Sequence, residues 1–262
     1  MADQVCAFCG KARKLTNQHV IAKRLIRLLP PAPTPTEFLR RRRRLNPNTG
    51  EVVFSDEVNI KSPLHHAVKR ICSTCNSTWV HEIETAVHPL LDALRQSKRK
   101  TLSRRHQRAL AAWAVLVTMM LEFSDPEKRG IPDAHLSYVY QHHEPPNQTL
   151  VWLASAQTPL WALGSRHISF DLRHPRDVVP RGHNTLNNQV TRILFGHLAL
   201  LVFTSTILPP DLEITGKLGN SLRKIWPIIE PLRWPIIPPL AFNEAVMLAD
   251  VFHESIAPSR RV

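Results

Sequence analysis

Four cysteines stand in two Cys-x-x-Cys pairs, Cys6/Cys9 and Cys72/Cys75, and the 262-residue chain has no others. Each pair can present two thiolates from one tight turn, and four thiolates form the tetrahedral soft-ligand set that Zn²⁺ prefers. A structural zinc site is the expectation; buried free thiols are the alternative reading. The 63 positions from Cys9 to Cys72 mean that the metal clasps a long excursion rather than one short finger. Inside that excursion the stretch Leu15-Thr-Asn-Gln-His19-Val-Ile carries a histidine, the side chain whose proton affinity suits acid–base work near neutrality. After it, Asn76 follows Cys75 directly and heads a helical pattern, where an asparagine also caps well.

A Cys-x-x-Cys, a strand-borne histidine and a Cys-x-x-Cys-Asn leading into a helix together resemble the HNH endonuclease family, over residues 1–100. The resemblance implies a ββα-metal module, two strands and one helix fastened by a structural zinc. It implies that His19 is the general base that takes a proton from water and that Asn76 orients its ring. A divalent cation, Mg²⁺ or Mn²⁺, then polarises the phosphate and holds the leaving oxygen. Members of the family often carry Asp, Glu or His just before the base; here Gln18 stands there, and an amide oxygen is a poorer ligand for a hard cation. On the helix the resemblance points to Glu84 as the cation ligand, with His81 one turn before it and His88 one turn after. Spacings of three and four put these residues on one helical face. The plain alternatives are that His81 and His88 are solvated, that Glu84 pairs with a basic neighbour, and that His19 is merely a polar strand residue.

Charge sharpens the expectation of a polyanionic partner. Residues 1–110 carry 21 Lys and Arg against 8 Asp and Glu, which accounts for the whole net charge of +13, whereas residues 111–262 carry 13 of each. A basic first part joined to a neutral second part suits DNA, double-stranded in the HNH reading, because Lys and Arg displace the counterions of the backbone. The candidates for phosphate contact are Lys23, Arg24 and the run Arg40, Arg41, Arg42, Arg43 and Arg44, which otherwise reads as a solvated loop. Such contacts position a backbone without reading its sequence. The start Met-Ala-Asp-Gln-Val-Cys lacks the basic and apolar segments of a signal peptide, so a reducing cytoplasm is expected, where paired cysteines are metal ligands rather than disulfides. No apolar stretch reaches the ~20 residues that span a bilayer, so no membrane span is expected.

The elements that must position these residues follow from periodicity and breakers. Short strands are expected over 15–21 and 68–71, a basic helix over 22–29 ended by Pro30-Pro31, and an insertion over 30–62 with a strand at 51–55. Trp79, Ile83, Ala86, Val87, Leu90, Leu91 and Leu94 repeat at helical spacing from Asn76 onward, with Trp79 on the apolar side as a core anchor, and Pro89 is expected to kink or divide that helix. Residues 106–123 read as a buried helix. Strands are expected at 136–140, 149–154, 167–172 and 190–204, the last broken at Gly196, with a closing helix over 242–254.

The fold class is therefore α+β: a zinc-fastened, HNH-like ββα-metal module over 1–100, then a helical and α+β domain over 101–262. That second domain carries no motif of its own and could serve a protein partner or a second copy of the chain. The leading function is a metal-dependent DNA endonuclease, in a phage-borne, restriction or anti-phage setting by family analogy. A zinc-stabilised nucleic-acid-binding protein without catalysis is the alternative from another class, and a protein-interaction scaffold is the third.

Overall fold

The computed structural model describes residues 5–32, 38–45, 52–59, 66–124, 129–172, 186–208 and 211–256, the stretches 38–45 and 52–59 as backbone. It is α+β. In chain order the first elements are β1 Leu15–His19, α1 Lys23–Ile26, β2 Phe38–Leu45, β3 Val52–Asn59 and β4 Ala67–Cys72. β1 and β4 pair antiparallel, Leu15 opposite Cys72 and His19 opposite Ala67, with an irregularity between Thr16 and Gln18. β2 and β3 form a separate two-stranded sheet. The arginine run lies in β2 rather than in a loop, and the register sets Arg40 opposite Glu57 and Arg41 opposite Asp56.

β4 leads straight into a continuous helical stretch: α2 Ser73–Cys75, a π-helical turn Asn76–Val80, and α3 His81–Leu94. The helix starts three residues before the expected point because Cys72 caps it, its Sγ accepting from the Cys75 N–H. Asn76 has helical dihedrals and is not the cap. Pro89 sits inside α3 without dividing it. The carbonyl it leaves unbonded belongs to exposed Thr85, where water can replace the lost partner.

β5 Lys100–Leu102 precedes α4 Arg104–Glu122, whose start is fixed by a reciprocal cap between Ser103 and His106. From Leu110 to Glu122 every residue of α4 is buried, so this helix is the axle of the molecule. α5 Asp133–His142 replaces the strand expected at 136–140. Pro132 before its first turn starts it, and Leu136 and Val139 then fall on one buried helical face, a spacing that a short β-rich composition masks.

β6 Thr149–Ser155, β7 Leu163–Phe170, β8 Asn188–Phe195 and β9 Leu198–Ser205 follow. β7 begins four residues before the expected strand, its start hidden by Gly164 and Ser165. α6 Gly216–Ser221, β10 Arg223–Trp226, β11 Leu232–Trp234 and α7 Phe242–Ile256 complete the chain, β11 pairing with β5. The main sheet is antiparallel with strand order β10-β6-β9-β8-β7. Gly196 turns the β8–β9 hairpin at φ +58° and packs so close to the Arg95 backbone that a Cβ would sit 2.8 Å from its carbonyl oxygen.

Alternation divides the sheet between two cores. Val151, Leu153, Ile193, Phe195, Leu200 and Val202 join the cluster that contains α4, while Trp152, Leu201 and Phe203 join the cluster that contains Leu248 and Phe252 of α7. The first cluster also takes in Cys6, Phe8, Cys72, Cys75 and Trp79, so the cysteine knuckles and the central helix share one apolar interior. Phe8 meets Trp79 with ring centroids 5.1 Å apart and Phe123 at 6.2 Å. Trp79 is 3% exposed, a core anchor. No helix among the described residues is long and apolar enough to cross a membrane.

Candidate metal centre and its neighbours

The first knuckle closes locally. Gly10 donates its N–H to the Cys6 carbonyl, Cys6 donates to the Lys11 carbonyl, and Gly10 takes φ +67°, a conformation that favours glycine. The Ala7 N–H then docks the turn on the Arg70 carbonyl of β4. The second knuckle forms where β4 becomes α2, and the Ser73 N–H ties it to the Lys14 carbonyl just before β1. Sheet pairing therefore brings together thiols that lie more than 60 residues apart in sequence.

Cys6 Sγ and Cys75 Sγ are 4.0 Å apart, Cys9 Sγ and Cys72 Sγ 3.9 Å, and all four sulfurs lie within 4.8 Å of one another. A metal with about 2.3 Å bonds to four sulfurs sets tetrahedral edges of about 3.8 Å, while a disulfide needs about 2.05 Å. The spacing fits a shared metal ion, and none of the four is in a disulfide. Backbone donors face the sulfurs: the Cys72 N–H reaches Cys6 Sγ and the Cys75 N–H reaches Cys72 Sγ. Burial pushes the Cys6 thiol up, but the N–H groups of Cys9, Cys72 and Phe8 outweigh it and bring it down to about 7. Burial pushes Cys9 and Cys75 above the ordinary thiol range. Crowded, buried sulfurs resist collecting negative charge by themselves, and a divalent cation removes that obstacle.

His19 ends β1 and is half-buried; Asn76 opens the π-helical turn and is also half-buried. Beside His19 the side chain of Gln18 turns inward and its Nε2 donates to Glu84 Oε1 at 3.2 Å. The other carboxylate oxygen of Glu84 accepts from Arg24 Nη2, also at 3.2 Å. Arg24 further donates to the His81 carbonyl at 2.8 Å and to Thr85 Oγ1 at 2.9 Å, fastening α1 across α3. Glu84 is 7% exposed. Burial pushes its carboxyl above the usual range, with Arg24 and Gln18 opposing.

His81, Glu84 and His88 do not converge. Among the described residues, the cysteines are the only group of three or more His, Cys, Asp or Glu whose ligand atoms come together. Helical spacing puts the three on one side of α3, but their ligand atoms do not cluster: His81 is exposed, His88 is half-buried, and Glu84 is buried with Gln18 and Arg24 as partners. A hard cation asks for several anionic or carbonyl oxygens. Both Glu84 carboxylate oxygens already accept, Oε1 from Gln18 Nε2 and Oε2 from Arg24, and among the described residues no second carboxylate joins them, so as arranged the set does not fit a Mg²⁺ or Mn²⁺ site.

Lys23 is exposed, whereas Arg24 is committed to α3 rather than open to a phosphate. Arg40–Arg44 are placed as β2 backbone. The partner of Glu84 lies 60 positions away, and nothing in local spacing announces it. Comparison of the chain with protein-family models, with curated proteins and with solved structures gives no match.

Proposed function

We propose that this chain is a zinc-fastened HNH-type nuclease acting on DNA. The observation that carries the reading is the convergence of four thiols at the junction of the first knuckle, β4 and the following helix, next to the strand that ends in His19. Zn²⁺ held by Cys6, Cys9, Cys72 and Cys75 supplies a cross-link and no reaction step. His19 takes the proton from the attacking water, and Asn76, at the start of the π-helical turn, is the residue that the HNH resemblance assigns to orienting it. Exposed Lys23 and Arg27, with the arginines of β2, supply sequence-independent attraction to the backbone.

A second reading has its own observation. Because Arg24 and Gln18 already hold the Glu84 carboxylate, a zinc-stabilised DNA-binding protein without catalysis also fits this arrangement. The test is cleavage of supercoiled plasmid by the purified chain, with Mg²⁺, with Mn²⁺ and with chelator, beside His19→Ala. Nicking that disappears in His19→Ala supports the nuclease. Intact plasmid together with salt-dependent DNA binding supports the second reading, and no DNA binding at low salt overturns both.

A further inference from the structure

On the face of the main sheet covered by α7, β7 sets Arg166 directly opposite Arg192 of β8. Like charges facing each other across an antiparallel pair repel. Asp250 of α7 answers one of them: its Oδ1 accepts from Arg166 Nε at 3.1 Å and from Arg166 Nη2 at 2.9 Å. Two guanidiniums against that carboxylate leave a positive charge over.

The excess sits on Arg192. It is 8% exposed, and its Nε is buried without a hydrogen-bond partner. Burial draws its pKa down to about 10, with Asp250 opposing and Arg166 adding to the fall. A guanidinium carries its donors in a rigid fork, and leaving the Nε donor buried and unspent is costly unless an anion completes the set. Gly164 on the neighbouring strand keeps the space beside this fork clear: a Cβ there would lie 3.3 Å from Arg192 Nη1. Arg166 is 40% exposed at its side chain and lies on an edge strand, so the pair has an approach from solvent.

We propose that Arg166 and Arg192 form an anion-binding site that takes a phosphate group, with Asp250 holding the Arg166 fork in position. Phosphate suits the pair better than carboxylate because it offers more oxygens around a tetrahedral centre and accepts from two forks at once. The site stands on the sheet face opposite α4 and does not depend on the role of His19. A free phosphate, a mononucleotide and a nucleic-acid strand share the chemistry that it recognises.

The test is titration calorimetry and thermal melting of the full chain in chloride buffer of matched ionic strength, with inorganic phosphate, adenosine monophosphate or a short single-stranded oligonucleotide. Inorganic phosphate is expected to bind and to raise the Tm, with Arg192→Gln and Arg166→Gln each weakening it about tenfold or more. Tighter binding of the mononucleotide or of the oligonucleotide identifies the source of the phosphate; equal binding means that the phosphate alone is read. Arg166→Gln, at a half-buried position on the edge strand, tests the site even where Arg192→Gln fails to fold. The proposal is overturned by a wild-type chain that responds to phosphate no more than to chloride, or by binding that survives Arg166→Gln undiminished.

Discussion

Arg24 and Glu84 meet across 60 positions of sequence, Nη2 to Oε2 at 3.2 Å, and the contact joins α1 to the first turn of α3, where Gln18 of the strand that ends in His19 also bonds the carboxylate. Removing the arginine leaves a buried carboxylate with the Gln18 amide. Truncating one member of a buried pair costs about 3–5 kcal/mol, but the Arg24 side chain is 31% exposed and solvent takes up part of the loss, so about 1–2 kcal/mol is expected for Arg24→Ala. The pH dependence has a definite sign. The Glu84 carboxyl titrates above its ordinary value in the folded chain, so folding favours its protonated form. That contribution is fully present below the ordinary carboxylate range and is lost as pH rises through the folded value. Arg24→Ala raises the folded value further, so its cost is largest at neutral pH and shrinks in acid. Urea melts at pH 7 and near pH 4 check this, and an equal loss at both would refute it.

Cys75→Ser removes one of four converging sulfurs from a site that is part of the main core. Since a structural metal contributes its binding energy to folding, the variant and the chelated wild type are both expected to lose their cooperative melt. Metal analysis of the purified protein is expected to find about one zinc per chain. Cobalt substitution is expected to give the visible absorption bands of a tetrahedral thiolate site. A metal-free chain that melts like the loaded one would mean that the thiols are ordinary core residues.

The sequence was most informative where a pattern is local. The Cys-x-x-Cys spacing, the apolar period of α4 and the glycine at the β8–β9 turn are each visible within a few residues, and each corresponds to what the chain forms. What escaped was non-local. Glu84 reads as a ligand from its place on the helix in the HNH resemblance, with histidines three and four positions away, yet its carboxylate is held by Gln18 and Arg24, and neither is near it in sequence. The run Arg40–Arg44 reads as a loop because like charges repel, whereas its backbone pairs with β3. At 136–140 the composition favours a strand, while Pro132 upstream had already committed the segment to a helix.

His19→Ala separates a catalytic role from a structural one. The residue is half-buried at the end of β1, and its register partner is the exposed Ala67 rather than a core side chain. Its removal is expected to lower stability by no more than about 1 kcal/mol and to leave the far-ultraviolet spectrum unchanged. In the proposed nuclease the same change abolishes plasmid nicking while DNA binding persists, because phosphate contacts are made by other residues. Retained nicking would remove His19 from the reaction.

Glu122 offers a sharp test of what holds the second part of the chain together. It is buried at the end of α4; its Oε1 accepts from the Gly130 and Ile131 N–H groups, and its Oε2 lies 2.9 Å from His167 Nε2. His167 passes the connection on through Nδ1 to Thr191 Oγ1 at 2.7 Å, so one carboxylate ties α4, the segment leading into α5, and strands β7 and β8. Glu122→Ala strands two backbone donors at once and leaves His167 Nε2 with only Ser169 Oγ, 3.0 Å away. Each unsatisfied buried group costs about 1–3 kcal/mol, and relaxation recovers part of the sum, so about 3 kcal/mol is expected for the variant. Glu122→Gln keeps one acceptor oxygen for the backbone donors and is expected to lose less than Glu122→Ala. Chemical denaturation of both variants gives the comparison, and equal losses would show that the backbone contacts contribute nothing beyond the partnership with His167.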